Sequence, residues 1–169
     1  LESARKQNKH IYAEIIGYGY SSDANHWTQP SVDGQVKAIE MALHDAHVQP
    51  TDIDYCNAHA TGTPVGDPEE CKSLNRIWGD DIQQLEVSST KGLHGHMIGA
   101  AGAMELLITV MALKNNTVPA NSHTNLDPKC NINLVTETHS KTMTNAMSNN
   151  FAFGGSNSVL IASTKDLYE

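Results

Sequence analysis

The chain has 169 residues, the length of about one domain, which excludes a multidomain protein unless the chain belongs to a longer one. Hydrophobic residues make up 39% of the sequence, too many for disorder to be the default expectation. Nineteen acidic and eleven basic residues give a formal charge of −8 without a long basic run, so we expect no nucleic-acid partner. Nine histidines are unusual for this length and indicate hydrogen-bonding or acid/base chemistry.

The cysteines and the N-terminal residues indicate a reducing, cytoplasmic location. Cys56, Cys71 and Cys130 are odd in number and form no CxxC pair, which predicts neither a disulfide framework nor a structural zinc module. Residues 1–10 lack the apolar stretch of a signal peptide, and we expect them to be a truncated leader or linker before one domain at residues 11–169.

The first half of the chain predicts strands alternating with helices. In residues 11–18 every second residue belongs to a more apolar set, which is typical of a strand with one face better buried than the other. Ile15 and Gly17 belong to this set and should share a face. Apolar residues every three or four positions then predict a helix that begins after Ser31 and is stopped by Pro50. A buried strand is predicted at the short apolar run 53–57.

A second helix is predicted from its end signals. Asp67 would be the acidic N-cap, Pro68 the first helical residue and Glu70 the acidic residue three positions after the cap. Gly79 would end this helix.

The second half of the chain completes an α/β pattern. Residues 97–114 predict a helix that is apolar nearly all round and should therefore be central. Its apolar part contains Glu105 and is shorter than the roughly 20 residues of a membrane span, so we expect a buried helix and no membrane partner. Further strands are predicted near 85–88, 134–136, 142–148 and 158–163. The alternation predicts a layered α/β domain with a mixed sheet.

Three segments with reactive or glycine-rich residues follow predicted strands, where open α/β sheets bind ligands. They are residues 59–67, 88–96 and 149–157. Taken singly, each has a structural explanation. His59 could be a buried core histidine, the glycines near residue 154 could mark a hairpin bend, and the His94-Gly95-His96 run has too few further ligands at a matching spacing for zinc.

Taken together, the segments resemble the C-terminal half of β-ketoacyl-acyl-carrier-protein synthases. The residues of the resemblance are HATGTPVGD at 59–67, STKGLHGH at 89–96 followed by GAAG at 99–102, and NFAFGGSN at 150–157. The resemblance implies a thiolase-like fold, in which two similar α/β halves form an αβαβα layered body. Residues 11–169 would be the C-terminal ketoacyl-synthase domain.

The resemblance implies an acyltransferase that condenses malonyl-acyl-carrier protein with a cysteine-bound acyl chain by a decarboxylative Claisen reaction, in fatty-acid or polyketide-type synthesis. None of the three cysteines matches the family's nucleophile, which lies in the N-terminal half. We therefore expect the chain to be part of a longer enzyme and inactive alone. Its implied partners are an acyl-carrier protein, the N-terminal half and, in the full-length form, a second copy in a homodimer.

The resemblance also assigns roles to residues. His59 and His96 would donate hydrogen bonds to the malonyl thioester oxygen, and Lys91 would order the site electrostatically. Glu105 should meet Lys91, backbone donors or a cation, because a carboxylate in an apolar helix is costly without a partner. Phe153 would be a gating residue whose backbone N–H joins the oxyanion hole.

Weaker assignments follow from the same resemblance. Thr61 and Thr63 would bind the phosphopantetheine arm of the carrier protein, the substrate handle, and a monovalent cation could lie near Asn57 and Glu105, with no other metal or tightly bound cofactor. The sequence departs from the family at Ala60, His94 and Ala152, where Gly, Thr and Gly are common. Either alanine would be strained if its position requires a positive φ.

Three other functions stay open. The chain could belong to a non-catalytic partner of the same fold, such as a chain-length factor, although the retained His59, Lys91 and His96 count against this. It could also be a carrier-protein-binding module. A metal hydrolase is the most distant alternative.

Overall fold

A computed structural model describes residues 1–167. The last two positions of the predicted domain, 168 and 169, lie outside the described residues. The strands are β1 Glu14–Ser22, β2 Tyr55–Asn57, β3 Glu86–Ser88, β4 Thr117–Val118, β5 Asn133–Leu134, β6 His139–Ser140, β7 Asn145–Ala152 and β8 Ser156–Ser163. The α-helices are α1 Glu2–Lys6, α2 Val32–Ala46, α3 Gly66–Trp78, α4 Lys91–His94 and α5 Ala101–Asn115, and short 3₁₀ helices cover Pro50–Asp52, Gly79–Gln84 and Ile98–Ala100.

Six strands form one mixed sheet in the order β1-β8-β7-β2-β3-β5. Strand β2 is parallel to both β3 and β7, and β3 is parallel to β5. Strand β8 is antiparallel to β7 and β1. The predicted mixed α/β sheet is confirmed, and the carboxyl ends of β2, β3 and β7 lie at one edge.

Helices cover both faces of the sheet. On one face α2 and α3 pack over a core that includes Ile39, Leu74 and Ile161, and on the other face α5 packs over a smaller core around Tyr55. Helix α2 lies directly on β1, where a Cβ on Gly19 would be 1.9 Å from the Ala38 carbonyl oxygen. Glycine is therefore required at this position because the helix backbone occupies the space of a side chain.

The prediction for the first strand was wrong in its bounds and in one facing. The strand runs from residue 14 to 22, and its pairing register shifts between Ile15 and Gly17. Because the irregularity interrupts the two-residue alternation, Ile15 is 46% exposed while Gly17 is buried. The two residues do not share a face.

Helix α2 begins where it was predicted to begin, but its C-terminal end is not set by Pro50. Ser31 is the N-cap, as predicted, and its hydroxyl accepts a hydrogen bond from the Gly34 amide. The helix ends at Ala46, because His47 adopts a left-handed conformation with φ 55°. Pro50 does not stop it and instead begins the following 3₁₀ turn.

The N-cap prediction for α3 was wrong, whereas its end at Gly79 is confirmed. The helix begins at Gly66, which places Asp67 inside the first turn. The Asp67 carboxylate instead accepts hydrogen bonds from the backbone amides of Gly62 and Thr63, at 3.1 and 3.2 Å. It therefore folds the preceding loop back onto the helix.

Helix α5 is buried on one side only, so the prediction that it is central was wrong for the described chain. Its buried side contains Glu105 and Thr109, while Leu107 is 56% exposed and Met111 is 37% exposed. By length and composition residues Ile98–Asn115 would suit a membrane span, a test that core helices of soluble proteins also pass. Its packing against β7 and its buried charged residue favour a core helix.

Candidate active site

His59 is placed at the carboxyl edge of the sheet by the strand before it and the helix after it. The amide of Ala58 still donates to Ser88 of β3, so the chain leaves the sheet one residue later. The amides of His59 and Ala60 then donate to the Glu70 carboxylate of α3, at 3.0 and 2.8 Å. The backbone at His59 is thus held by a side chain eleven residues further on.

Glu70 is a site residue that sequence reasoning assigned only to helix capping. It is 3% exposed and also accepts a hydrogen bond from Asn149 of β7, at 3.0 Å. Burial raises the pKa of Glu70, and the hydrogen bonds from Asn149, Ala60 and His59 oppose that rise. The carboxylate ties the His59 loop to β7, which a local capping signal could not reveal.

Lys91 and Glu105 form a buried ion pair, so Lys91 is the partner of the glutamate among the three kinds of partner that the sequence left open. Lys91 begins α4 after β3, and Glu105 lies on the buried side of α5. Their side chains are hydrogen-bonded and are 5% and 0% exposed. Burial raises the pKa of Glu105, while the hydrogen bond and the charge of Lys91 act in the opposite direction.

The two predicted histidines meet at this edge. Their ring centroids are 5.7 Å apart, and the rings are nearly perpendicular at 84°. The amide of Ile98 donates to Nδ1 of His96 at 3.3 Å, so the proton of the neutral ring is on Nε2, which is free to donate to a ligand. In His59, Nδ1 is buried without a hydrogen-bond partner, which leaves Nε2 as the nitrogen that can reach a ligand.

His59 is kept neutral by its surroundings. Burial lowers its pKa to about 3, with smaller contributions from the positive charge of Lys91 and from His96. A neutral imidazole donates a single N–H and does not titrate near pH 7. His59 therefore suits hydrogen bonding to an oxygen that gains negative charge, without transfer of a proton to it.

The structure does not bring the Phe153 ring into contact with the histidines. Phe153 lies in the turn between β7 and β8 and is 82% exposed, whereas the ring of buried Phe151 is 6.0 Å from that of His59. The turn is attached to a neighbouring loop, because the Gly154 amide donates to the Trp27 carbonyl at 2.8 Å. The gating role of Phe153 remains a prediction.

The two threonines lie in the loop between β2 and α3. Thr61 is half-buried and Thr63 is exposed. The Thr63 hydroxyl oxygen accepts a hydrogen bond from the Gly66 amide at 3.0 Å, which leaves its O–H free to donate to a ligand.

Two buried oxygens near the ion pair lack a hydrogen-bond donor. They are Oδ1 of Asn57, at the end of β2, and Oε2 of Glu105. Oxygen atoms of carbonyl and carboxylate groups are the ligands that hard cations prefer. Within residues 1–167 no group of three or more histidine, cysteine, aspartate or glutamate side chains is arranged to hold a metal ion.

The three cysteines are not suited to nucleophilic catalysis, and the alanines at positions 60 and 152 are not strained. Cys56, Cys71 and Cys130 are buried, and burial raises the pKa of each thiol, which disfavours the nucleophilic thiolate. Neither Ala60 nor Ala152 has a positive φ, so the strain that either substitution could have caused is absent.

A half-molecule with these layers and with two adjacent histidines beside a buried Lys–Glu pair defines a thiolase-like condensing fold. The sequence matches the family described as beta-ketoacyl synthase, C-terminal domain, over residues 12–125. The chain belongs to this family and is its C-terminal half.

Similar proteins cover nearly the whole chain. It is 44% identical over 167 residues to 3-oxoacyl-[acyl-carrier-protein] synthase 2 of Coxiella burnetii, a match to 96% of this chain and 40% of that protein. Among solved structures, the ishigamide ketosynthase/chain length factor has a TM-score of 0.93 at 35% identity, covering 97% of this chain and 41% of that one. A type II PKS acyl-carrier protein in complex with its ketosynthase bound to the hexaketide gives 0.92 at 27% identity, covering 98% and 41%.

These comparisons confirm the predicted family and thiolase-like fold. The chain spans about two fifths of the length of the curated relatives it matches.

Proposed function

We propose that the chain supplies the enolate-stabilising half of a β-ketoacyl-acyl-carrier-protein synthase, an acyltransferase that condenses malonyl-acyl-carrier protein with a cysteine-bound acyl chain. The observation that supports this function best is the pairing of His59, whose imidazole is kept neutral by burial, with His96, at a ring-centroid distance of 5.7 Å. The cysteine would come from an N-terminal half, and the 169 residues alone would not condense substrates.

In this proposal the two histidines act on the malonyl thioester. When carbon dioxide leaves, the electron pair of the broken C–C bond forms an enolate whose negative charge develops on the thioester oxygen. Nε2–H groups of His59 and His96 would both donate to that oxygen, stabilising the transition state more than the ground state. The enolate carbon then attacks the acyl carbonyl and displaces the cysteine thiolate.

The buried ion pair of Lys91 and Glu105 would support this chemistry electrostatically. Lys91 contributes to the low pKa of His59 and so helps to keep that imidazole a neutral donor. A monovalent cation would be held by the partnerless oxygens of Asn57 and Glu105 and would supply positive charge beneath the site.

The remaining assigned residues would handle the carrier arm and the gate. The free O–H of Thr63, together with Thr61, would bind the phosphopantetheine amides. The exposed turn at Phe153 would gate access to the acyl site, with its glycines supplying the positive φ values of 82° and 76° that such a turn requires.

Partners of the complete enzyme would include an acyl-carrier protein, as in the carrier-protein complex of the similar ketosynthase. The N-terminal half would cover the apolar face that α5 and β1 leave exposed, including Leu107, Tyr18 and Tyr20. The full-length form would be a homodimer and would act in the cytoplasm.

Decarboxylation of malonyl-acyl-carrier protein by a complete protein containing this domain tests the proposal. His59→Ala and His96→Ala should each lower the rate about 100- to 1,000-fold, because each removes one donor to the developing oxyanion. The control is His44→Ala, which changes an exposed histidine of α2 and should leave the rate within about twofold. Unchanged rates in both site variants would refute the proposal.

A chain-length factor is the second candidate function, because one similar structure is a ketosynthase/chain length factor. This candidate predicts no decarboxylation by the wild-type complete protein and no cysteine on a strand-to-helix turn upstream of residue 1. The intact set of His59, His96 and Lys91 favours the catalytic function.

A further inference from the structure

The residue at position 94 takes part in a hydrogen-bonded chain that the proposed mechanism does not use. Nδ2 of Asn57 is 3.2 Å from Oγ1 of Thr90, which is 3.1 Å from Nε2 of His94. Nδ1 of His94 is in turn 2.7 Å from the carbonyl oxygen of Gly95. Asn57 and Thr90 are 0% and 1% exposed, so this series of hydrogen bonds runs from the interior to the loop that precedes His96.

The chemistry of the two end groups fixes the direction of the hydrogen bonds that they make. A carbonyl oxygen only accepts, so Nδ1 of His94 bears the proton donated to Gly95. Nε2 of His94 and the Thr90 hydroxyl share the second hydrogen bond of the series. The Thr90 oxygen keeps a lone pair for the Asn57 amide, so each donor has one acceptor.

The series of hydrogen bonds ends at the Gly95 carbonyl, which belongs to the peptide group between Gly95 and His96. The Gly95 carbonyl and the His96 nitrogen share one rigid plane, so a hydrogen bond to that oxygen restricts rotation of the plane. Gly95 is exposed, has φ 77° and has open space where a side chain would be, so little else packs against it. Its own amide donates to the Lys91 carbonyl at 2.7 Å, which secures only its N-terminal side.

We propose that His94 is a positioning residue for His96: with Nδ1 as the donor, it links buried Thr90 to the Gly95 carbonyl and sets the direction of the catalytic Nε2–H of His96. This proposal rests on the proposed function for its kinetic consequence. The histidine ring spans the gap with one nitrogen at each end, which the shorter side chain of threonine cannot do. Geometric errors of about 1 Å in a catalytic group can reduce rates about 100-fold.

Variants that preserve one end of the His94 ring test this role in the complete protein. His94→Asn places an amide N–H near the Nδ1 position and should retain the hydrogen bond to Gly95. His94→Gln places its amide near the Nε2 position, and His94→Ala removes both ends. Thr90→Val and Thr90→Ser form a second pair. The valine variant lacks the hydroxyl that holds the ring and should lose kcat to about the extent of His94→Asn, whereas the serine variant keeps the hydroxyl and should stay within about twofold of wild type.

The expected kinetic result is a selective loss of kcat for malonyl decarboxylation. His94→Ala and His94→Gln should lower kcat about 10- to 100-fold with KM within about twofold. His94→Asn, which keeps the bond to Gly95 but loses its support by Thr90, should lose less than about tenfold. Transfer of the acyl group to the nucleophilic cysteine should be unchanged in all three. Equal decarboxylation by the Ala and wild-type proteins, or equal losses in Asn and Ala, would overturn the proposal, as would an equal loss of acyl transfer.

Two further measurements separate this proposal from the proposed function. His96→Ala in the same assay reports on the function itself, so an inactive His96→Ala protein beside fully active His94 variants rejects only the positioning role. Crystal structures report on positioning without activity. The Gly95–His96 peptide plane should rotate and the 5.7 Å separation of the rings should change in His94→Ala but not in His94→Asn. An unmoved His96 in the alanine variant would refute the proposal even if no activity were found.

Discussion

Replacing Lys91 with methionine should make the stability of the domain depend on pH in a defined way. Among the described residues, the Glu105 carboxylate accepts a side-chain hydrogen bond only from Lys91, and both side chains are at most 5% exposed. Methionine has a similar length but no charge, so the variant leaves a buried carboxylate without its cation. Removing one member of a buried ion pair typically destabilises a protein by about 3–5 kcal/mol.

The sign of the pH dependence follows from the pKa of Glu105. Burial already raises that pKa above its ordinary value of 4.5, and loss of Lys91 raises it further. Between the unfolded and folded pKa values the folded protein holds a proton that the unfolded chain has released. The stability is therefore complete below pH 4.5 and falls by about 1.4 kcal/mol for each pH unit as the pH rises through this window. Above pH 4.5 the deficit of Lys91→Met relative to wild type should therefore grow as the pH rises, by at most about 1.4 kcal/mol for each pH unit.

Thermal unfolding of the complete protein at several pH values measures this effect. The double variant Lys91→Met/Glu105→Gln should lose the added slope, because no ionisable group remains in the pair. Lys72→Met is the matched control, because Lys72 pairs with Glu69 on the surface of α3 at 2.5 Å and its side chain is 58% exposed. Such surface pairs contribute about 0–1 kcal/mol. A Lys91→Met deficit that is the same at pH 6 and pH 8, or that persists with the same slope in the double variant, would refute the reasoning.

The other two predictions concern His59 and the cation. Burial lowers the pKa of His59 to about 3, so its imidazole NMR resonance should not titrate between pH 8 and 5 in a labelled complete protein. The His59→Gln variant assigns this resonance. A titration midpoint above pH 5 would contradict the prediction. The contribution of His59 to stability should be complete above its ordinary pKa of 6.5 and decline as the pH falls toward 3. If Asn57 and Glu105 hold a monovalent cation, potassium should raise the thermal midpoint relative to choline at equal ionic strength, and equal midpoints would exclude the site.

Local sequence signals predicted the elements better than their ends. The start of α2 after Ser31 and the end of α3 at Gly79 were predicted correctly because each depends on a few neighbouring residues. Asp67 was placed wrongly as a cap, since the same acidic residue can satisfy either a helix end or a preceding loop. The choice between these depends on how the loop folds, which the local pattern does not encode.

The tertiary contacts that build the site were the least predictable from the sequence. Glu70 reaches back to His59 and across to Asn149, and His94 joins Thr90 to Gly95. Each of these contacts depends on side-chain directions after the strands have paired. Helix α5 shows the same dependence, because an apolar composition does not reveal which side the described chain leaves exposed.

By itself the sequence determined the alternation of strands and helices and the presence of three polar, glycine-containing segments that each follow a strand. Those properties follow from residue spacing and backbone preference, which act over a few residues. Only the tertiary structure decided that β2, β3 and β7 end at one edge with two imidazoles 5.7 Å apart above a buried ion pair. The physical reason is that strand order and burial, which bring distant residues together and set their pKa values, arise from packing of the whole domain.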